Sequence, residues 1–108
     1  MDMTDWELEI LRKLRSLLEQ RVHLYSLIAF GSRARGDADE DSDLDVLVVT
    51  EDAESRDLRM FVYDCAFEVG LESGLLINAV YFSRDRWENG PERSSLLALA
   101  VQREGISV

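Results

Sequence analysis

Two aspartates separated by one residue, Asp43 and Asp45, stand at the start of an apolar run that is typical of a β-strand. Alternate residues of a strand project from the same face, so the two carboxylates can converge on one cation or on a close pair of cations. Carboxylate oxygens are the ligands that Mg²⁺ prefers in proteins. Acids at strand ends are also often exposed to solvent without a ligand, so this pair alone indicates a magnesium site only weakly.

A second pair of residues, Gly31 and Ser32, directly follows another apolar run that ends at Phe30. Glycine permits close approach of the backbone to a ligand, and a short helix after it would offer free N–H groups to phosphate oxygens. The Ser32 hydroxyl would add a donor at the same place. A Gly-Ser pair after a strand is also a common turn, so this signal is weak when taken alone.

The two signals become specific through their spacing, because ten residues separate Gly31-Ser32 from Asp43-x-Asp45. This segment resembles the signature of the minimal nucleotidyltransferases (MNT) of the DNA polymerase β superfamily. The flanking Ala34-Arg35-Gly36 and the Ser42 that precedes Asp43 add to the resemblance. It implies an α/β (α+β) nucleotidyltransferase fold over nearly the whole chain, with residues 1–108 as a single nucleotidyltransferase domain.

The resemblance also implies a reaction, in which a hydroxyl attacks the α-phosphorus of a nucleoside triphosphate such as ATP and pyrophosphate leaves. The implied catalytic and metal-binding residues, with Mg²⁺ as the cofactor, are Asp43 and Asp45. The implied nucleotide-binding residues are Gly31, Ser32, Arg33, Arg35 and Ser42. Arg35 has an alternative role, because the neighbouring acids of the segment Asp37–Asp41 could pair with its guanidinium instead.

One position departs from the pattern of the active members, which usually present a third carboxylate from the next strand. The corresponding run, residues 75–82, has Asn78 as the only polar residue in its centre. An amide oxygen brings no charge and cannot act as a base. Asn78 could equally be a buried amide with a structural role, and in either case catalysis is in doubt.

The resemblance extends to a biological role, because chains of this size that share it are typically antitoxins paired with an all-helical ribonuclease toxin of the HEPN class. One hypothesis is an enzyme that neutralises this toxin by nucleotidylating it. The alternative is a catalytically weak or inactive module that neutralises its partner by contact alone. Transfer to a small antibiotic is less favoured, because such enzymes generally carry a second helical domain.

The elements that must position these residues can be read from apolar periodicity. Thr4-x-x-Glu7 is typical of a capping box at the start of a first helix that extends to about Gln20. The predicted strands are 23–30, 44–50 and 75–82, with one helical turn at 32–36 and a surface loop at 37–42. Further helices are predicted at 53–73, with Gly74 as the expected stop, and from Pro91 to about Gly105, with Ser83 as another helix cap. The last helix is expected to turn Leu96, Leu97, Ala100 and Val101 inward. These elements predict a small mixed sheet of about three strands packed with helices, with the direction of each strand left open.

Composition supports a folded protein and narrows its partners. Hydrophobic residues make up 46% of the chain and charged residues 31%, while the formal net charge is −10. Such a charge disfavours direct nucleic-acid binding and favours encounter with a basic protein partner, for which the acid-rich Asp37–Asp41 is the expected contact surface. A solvated surface that only aids solubility is the more common reason for such a charge. The apolar runs are too short to cross a membrane, so a cytoplasmic location is expected. The lone Cys65 is expected to be a buried structural thiol.

Overall fold

A computed structural model describes residues 3–108 of the chain and consists of a sheet with helices on both faces. The helices are α1 (Asp5–Leu18), α2 (Gly31–Arg35), α3 (Arg56–Ser73), α4 (Arg84–Asn89) and α5 (Leu96–Glu104). The strands are β1 (Leu24–Phe30), β2 (Leu44–Thr50), β3 (Ile77–Ser83) and β4 (Ile106–Ser107). A 3-10 turn covers Pro91–Ser94. No helix within these residues is both long and apolar enough to span a membrane.

The sheet is mixed, as predicted, with the strand order β3-β2-β1-β4. β2 pairs antiparallel with β1 and parallel with β3, and β4 pairs antiparallel with β1. Strand β2 is therefore central, and its residues lie beside both the end of β1 and the start of β3. Asp45 has Phe30 as its partner on one side and Asn78 on the other.

One face of the sheet carries the main hydrophobic core, which α1 and α3 cover. The buried cluster contains Leu44, Val46 and Val48 of β2 together with the apolar faces of the two helices. Leu47 and Val49, which alternate with them, are also fully buried. These two residues therefore project from the opposite face, where α4 contacts β2 and α5 contacts β1.

Side-chain caps explain several helix boundaries. The Thr4 side chain accepts a hydrogen bond from the Glu7 N–H while Glu7 accepts one from the Thr4 N–H, which confirms the predicted capping box. Ser83 caps α4 as predicted by accepting from Arg86 N–H. Gly74 ends α3 in the left-handed conformation with φ 70°, which confirms the predicted stop.

Three expectations about the elements need correction. The described part of the sheet has four strands rather than three, because the two-residue β4 adds to the edge of β1. The last helix starts at Leu96 after a Ser95 cap, and Pro91 begins the separate 3-10 turn. Leu96 was expected to face inward, yet it is 85% exposed, because α5 lies at the periphery and contains no buried residue.

The single cysteine lies where the periodicity of α3 predicts, among the buried residues. Burial raises the pKa of the Cys65 thiol to about 11, and the nearby carboxylates of Glu68 and Asp64 add to the increase. The thiol is therefore protonated near neutral pH, which agrees with a structural role.

Candidate nucleotide and metal site

Gly31 is the point where β1 ends and the backbone turns directly into α2. Its φ of 79° lies in the left-handed region, which favours glycine. A Cβ at this position would overlap the Asp45 Oδ2 atom, so only a residue without a side chain allows the carboxylate to approach this closely. The fold thus brings the Gly31 backbone and the Asp45 carboxylate into direct contact.

Asp43 and Asp45 flank Leu44 at the start of β2, where the pairing of β2 with β1 ends at Phe30. Asp43 is exposed and Asp45 is half-buried. No group of three or more acidic, histidine or cysteine side chains suited to a metal ion occurs in residues 3–108. A cation here would therefore depend on these two carboxylates together with oxygens from a ligand.

Asn78 lies beside Asp45 in the parallel register of β2 and β3. Its Nδ2 donates a hydrogen bond of 3.1 Å to Asp45 Oδ1. The side chain is exposed, so the alternative of a buried core amide is wrong. The position next to the aspartate pair is thus occupied by a neutral amide, which donates a hydrogen bond to one of the two carboxylate oxygens of Asp45.

Arg33 is buried, although a charged side chain on a short surface helix would normally be exposed. Its Nη1 donates to Glu7 Oε2 at 2.9 Å, and its Nε donates to the Ser42 carbonyl at 2.8 Å. Nη2 donates to the carbonyls of Asp39 and Glu40. All three guanidinium nitrogens thus donate to groups of the chain itself, and Arg33 connects α1 to the loop before Asp43.

Glu7 is the buried anion that balances Arg33, at the end of α1 that the capping box forms. Burial by itself would raise the pKa of Glu7. Hydrogen bonds from the Thr4 backbone, from Arg33 and from the Thr4 hydroxyl outweigh burial, so the pKa of Glu7 lies below its usual value. The ion pair is therefore charged at neutral pH.

Ser42 closes the acid-rich loop. Its hydroxyl donates to Asp39 Oδ1 and accepts from the Asp39 N–H, both at 3.2 Å. Its carbonyl is the one that Arg33 holds. In this arrangement Ser42 stabilises the loop that leads into Asp43.

Arg35 is exposed on α2 and pairs with two carboxylates, Asp37 at 3.2 Å and Glu104 at 2.7 Å. Hydrogen bonds to Asp37 and to Glu104 raise the pKa of Arg35 further above its usual value. The same Glu104 Oε2 accepts a hydrogen bond of 2.8 Å from the Gly31 N–H. The Gly31 N–H, which the sequence resemblance assigns to phosphate binding, therefore donates to the Glu104 carboxylate at the end of α5.

The sequence model of the nucleotidyltransferase domain family matches residues 11–101, which include every residue of this arrangement except Glu7 and Glu104. The chain belongs to this family. Nucleotidyltransferase domains generally use divalent metals, and the aspartate pair beside Gly31 is the part of this domain that could hold one. No protein of curated function matches the sequence.

Solved structures share the fold of this nucleotidyltransferase domain. A toxin–antitoxin crystal structure with AMP-PNP gives a TM-score of 0.62 at 21% identity, covering 89% of this chain and 69% of that one. A complex of a tri-AMPylated HEPN toxin with an MNT antitoxin, from Shewanella oneidensis, gives 0.57 at 19% identity, covering 94% and 70%. A protein assigned as a minimal nucleotidyltransferase gives 0.64 at 27% identity, covering 97% of each chain. The domain thus resembles the MNT antitoxins of HEPN toxin pairs.

Glu104 is the residue of the nucleotidyltransferase domain that sequence reasoning missed. It lies 73 positions from Gly31 along the chain and belongs to no motif around the aspartate pair. The helical periodicity predicted that a helix ends near Gly105, but not that this end would meet α2. Its contact with α2 depends on how α5 packs across β1, which no local pattern contains.

Proposed function

We propose that residues 1–108 act as a single, cytoplasmic nucleotidyltransferase domain that binds ATP with Mg²⁺ and works as the antitoxin of a HEPN-type ribonuclease toxin. The observation that carries the proposal is the direct contact between the Gly31 backbone and the Asp45 carboxylate at the edge of the sheet. This contact supports the proposal, because nucleotidyl transfer would need a turn able to bind phosphate beside a carboxylate able to bind a cation.

The residues present fit a magnesium–triphosphate complex. The carboxylates of Asp43 and Asp45 supply two negatively charged ligands, and the oxygens of the triphosphate would complete the coordination. Bound Mg²⁺ would neutralise the charge that develops on the phosphates during transfer. The two aspartates would also orient the nucleotide, so that an acceptor hydroxyl can approach the α-phosphorus opposite the leaving pyrophosphate.

The phosphate side of the site is formed by α2. The Gly31 N–H and the Ser32 hydroxyl would donate to the phosphates once Glu104 has moved away from Gly31. The same movement frees the Arg35 guanidinium from one of its two carboxylate partners, so that Arg35 can contact a phosphate as well. Arg33 and Ser42 then act as positioning residues that hold the loop preceding Asp43.

The partner proposal rests on the shared fold with toxin–antitoxin complexes and on the net charge of −10, which favours a basic protein over direct contact with nucleic acid. Neutralisation by nucleotidylation and neutralisation by contact alone remain two candidate functions. The neutral Asn78 beside Asp45 favours the second, because an amide at this position cannot deprotonate an acceptor as a third carboxylate would.

Labelling of the partner by ATP carrying a labelled α-phosphate tests the proposal. The partner is the HEPN-type protein that co-purifies with the chain from its native source. If neutralisation proceeds by nucleotidylation, wild-type protein with Mg²⁺ should transfer label to it, Asp45→Asn should reduce transfer at least tenfold, and the neighbouring Asp41→Asn should not. Binding without transfer would support neutralisation by contact alone. If no HEPN-type protein is retained and no nucleotide binds, the proposal is overturned.

A further inference from the structure

Helix α3 carries a row of exposed apolar side chains, here named the α3 stripe. Its members are Met60, Tyr63, Phe67 and Leu71, which are between 39% and 74% exposed. Their spacing of three or four residues places them in one line over about three helical turns, roughly 16 Å. Single exposed apolar residues are ordinary, but a continuous row of four on one helix requires an explanation.

The α3 stripe is not an extension of the hydrophobic core. At about 100° per residue, its centre lies roughly 150° around the helix from the centre of the buried face. That face consists of Val62, Cys65, Ala66 and Val69. The helix is thus apolar on two nearly opposite sides, and only one of them has a partner within residues 3–108.

A groove lies beside the C-terminal half of the stripe. It has a volume of about 260 Å³, and its lining includes Phe67, Leu71 and the segment Gly74–Ile77. Leu76, just before β3, is 65% exposed there. The stripe and the groove therefore form one apolar surface at the outer edge of the sheet, where β3 has no further strand.

Four carboxylates form a second row along α3, which gives the surface a defined charge. Asp57, Asp64, Glu68 and Glu72 lie on the side of the helix next to the stripe, roughly 90° away from it. All four are exposed, and none forms a salt bridge with another residue of the described chain. A matching surface must therefore combine apolar side chains with a row of basic ones.

A second copy of the chain does not meet this requirement. Each copy has a net charge of −10, so association would bring like charges together. The basic residues of α3, Arg56 and Arg59, stand only at its N-terminal end, and Arg59 already pairs with Glu54 at 2.6 Å. The acidic charge around the stripe therefore favours a basic protein over a second copy of this chain.

We propose that the α3 stripe and its acidic row dock an amphipathic helix of the HEPN-type partner, one with an apolar row flanked by lysine or arginine. The inference rests on the proposed function, because that function supplies an all-helical partner. A helix fits a straight stripe of about three turns, since apolar rows at this spacing pack against each other in helix pairs.

The location of the stripe separates docking from catalysis. Helix α3 covers the face of the sheet that Leu44 and Val46 share, whereas Asp45 alternates with them and projects from the opposite face. A partner held on α3 therefore leaves the aspartate pair uncovered. Contact and nucleotidyl transfer then use different surfaces, so the loss of transfer need not abolish contact.

This proposal assigns the partner contact to α3 and not to the acid-rich loop Asp37–Asp41. In the loop, Asp37 is already paired with Arg35, and the Asp39 carboxylate accepts from Ser42 and from the Asp41 N–H. The carboxylates of α3 have no such partners within the described residues. The carboxylates of Glu40 and Asp41 in the loop also form no salt bridge within the described residues, but those of α3 in addition lie in a row beside the exposed apolar stripe.

The experiment measures binding of the co-purifying HEPN-type protein to single variants by calorimetry. Phe67→Glu places a charge in the centre of the stripe and should weaken binding at least a hundredfold, and Glu68→Lys should weaken it about tenfold. Leu96→Glu is the control, because Leu96 is also an exposed apolar residue on a helix, α5, at 85% against 65% for Phe67, and it should change binding less than threefold. Thermal unfolding of each variant should match that of wild type, since all three positions are exposed.

The outcomes separate the inference from the proposed function. Unchanged binding by Phe67→Glu, or an equal loss in Leu96→Glu, overturns the docking site while the partner stands. A wild-type homodimer that dissociates in Phe67→Glu shows that a second copy occupies the stripe, which also overturns it. If wild type retains no HEPN-type protein, the partner of the proposed function fails, and the inference fails with it.

Discussion

At the scale of single residues, the candidate site depends on contacts between side chains and one backbone turn. Gly31 allows Asp45 to approach, Asn78 holds one Asp45 oxygen, and Glu104 holds the Gly31 N–H. Each contact can be removed by a change of a few atoms. The three predictions that follow address the aspartate pair, the amide and the glutamate in turn.

The first prediction concerns the aspartate pair. Asp43→Ala and Asp45→Ala should each lower Mg²⁺-dependent affinity for ATP at least tenfold, because either change leaves phosphate charge partly uncompensated. Calorimetric titration with and without Mg²⁺ measures the effect. Asp41→Ala serves as the control, since its carboxylate lies in the loop outside the pair. Unchanged affinity in both variants would remove this site assignment.

The second prediction concerns Asn78. Asn78→Asp would place a third carboxylate beside Asp45, able to ligate a cation or accept a proton from the acceptor hydroxyl. Labelling of the partner by ATP should therefore rise, by roughly tenfold or more if proton transfer limits the reaction. Asn78→Ala is the comparison, because it removes the amide without adding charge. A fall in labelling by the aspartate variant, with its fold intact, would instead assign Asn78 a structural role.

The third prediction concerns Glu104, which a triphosphate must displace from Gly31 and Arg35. Glu104→Gln removes the competing charge and should increase ATP affinity by about tenfold. Equilibrium binding of a fluorescent ATP analogue measures it, with Glu72→Gln as a control that makes the same charge change on α3. Weaker binding in Glu104→Gln would mean that this carboxylate helps to hold the nucleotide complex instead of competing with it.

At the scale of elements, the buried Glu7–Arg33 pair connects α1, α2 and the loop before Asp43. The two side chains are only 6% and 8% exposed, so water cannot replace either partner. Removing one member of such a pair leaves a buried charge without compensation, which is more destabilising than loss of a surface ion pair. The pair therefore couples the stability of the fold to the position of the loop.

The fourth prediction follows from this pair. Glu7→Gln should lower the free energy of unfolding by roughly 3 kcal/mol near neutral pH. Because the pKa of Glu7 is lower in the folded protein, its contribution is present above the unfolded pKa and is lost as the pH falls through the folded value. The difference between wild type and variant should therefore narrow below about pH 4.5.

Urea unfolding between pH 3 and pH 7 measures this difference. Glu9→Gln is the matched control on the same helix, because the Glu9–Arg12 pair is exposed and should contribute no more than about 0.5 kcal/mol. A constant difference over the whole pH range would contradict the assignment of the effect to the ionised Glu7 carboxylate.

At the scale of the whole molecule, charge and exposed apolar surface point to the same kind of partner. The net charge of −10 disfavours contact with nucleic acid, and the α3 stripe provides apolar area next to carboxylates that form no salt bridge within residues 3–108. Charge complementarity mainly accelerates encounter, whereas buried apolar contacts slow dissociation. The two features therefore predict different kinetic effects.

The fifth prediction separates these effects. The association rate with the HEPN-type partner should fall as ionic strength rises from about 0.01 M to 0.5 M, while the dissociation rate changes little. Surface plasmon resonance at several salt concentrations measures both rates. Glu68→Lys should flatten the salt dependence of association, whereas Phe67→Glu should mainly accelerate dissociation. A rate of association that is independent of salt would exclude charge steering.

The sequence by itself determined the family and most of the elements, because these depend on short-range patterns. The spacing of Gly31-Ser32 and Asp43-x-Asp45 carried the motif, and apolar periodicity placed β2 at residues 44–50, as observed. The capping box at Thr4 and the stop at Gly74 are also local, since each depends on residues within one turn. Asn78 could be identified as the residue in place of a third carboxylate because it is the only polar residue in the centre of the apolar run 75–82.

Only the tertiary structure decided which partners the charged residues have. Arg33 meets Glu7 across 26 positions, and Glu104 meets Gly31 across 73. Such pairs form when the packing of α1 and α5 against the sheet brings distant segments together. The sequence pattern around a charged residue does not indicate which distant residue it will contact. Strand direction, the pairing of the short β4 and the exposure of Leu96 likewise depend on contacts between segments that are distant in the sequence. They depend on how the whole chain packs around the sheet, because the local sequence has the same propensity whether a strand runs parallel or antiparallel and whether a helix face is covered or exposed.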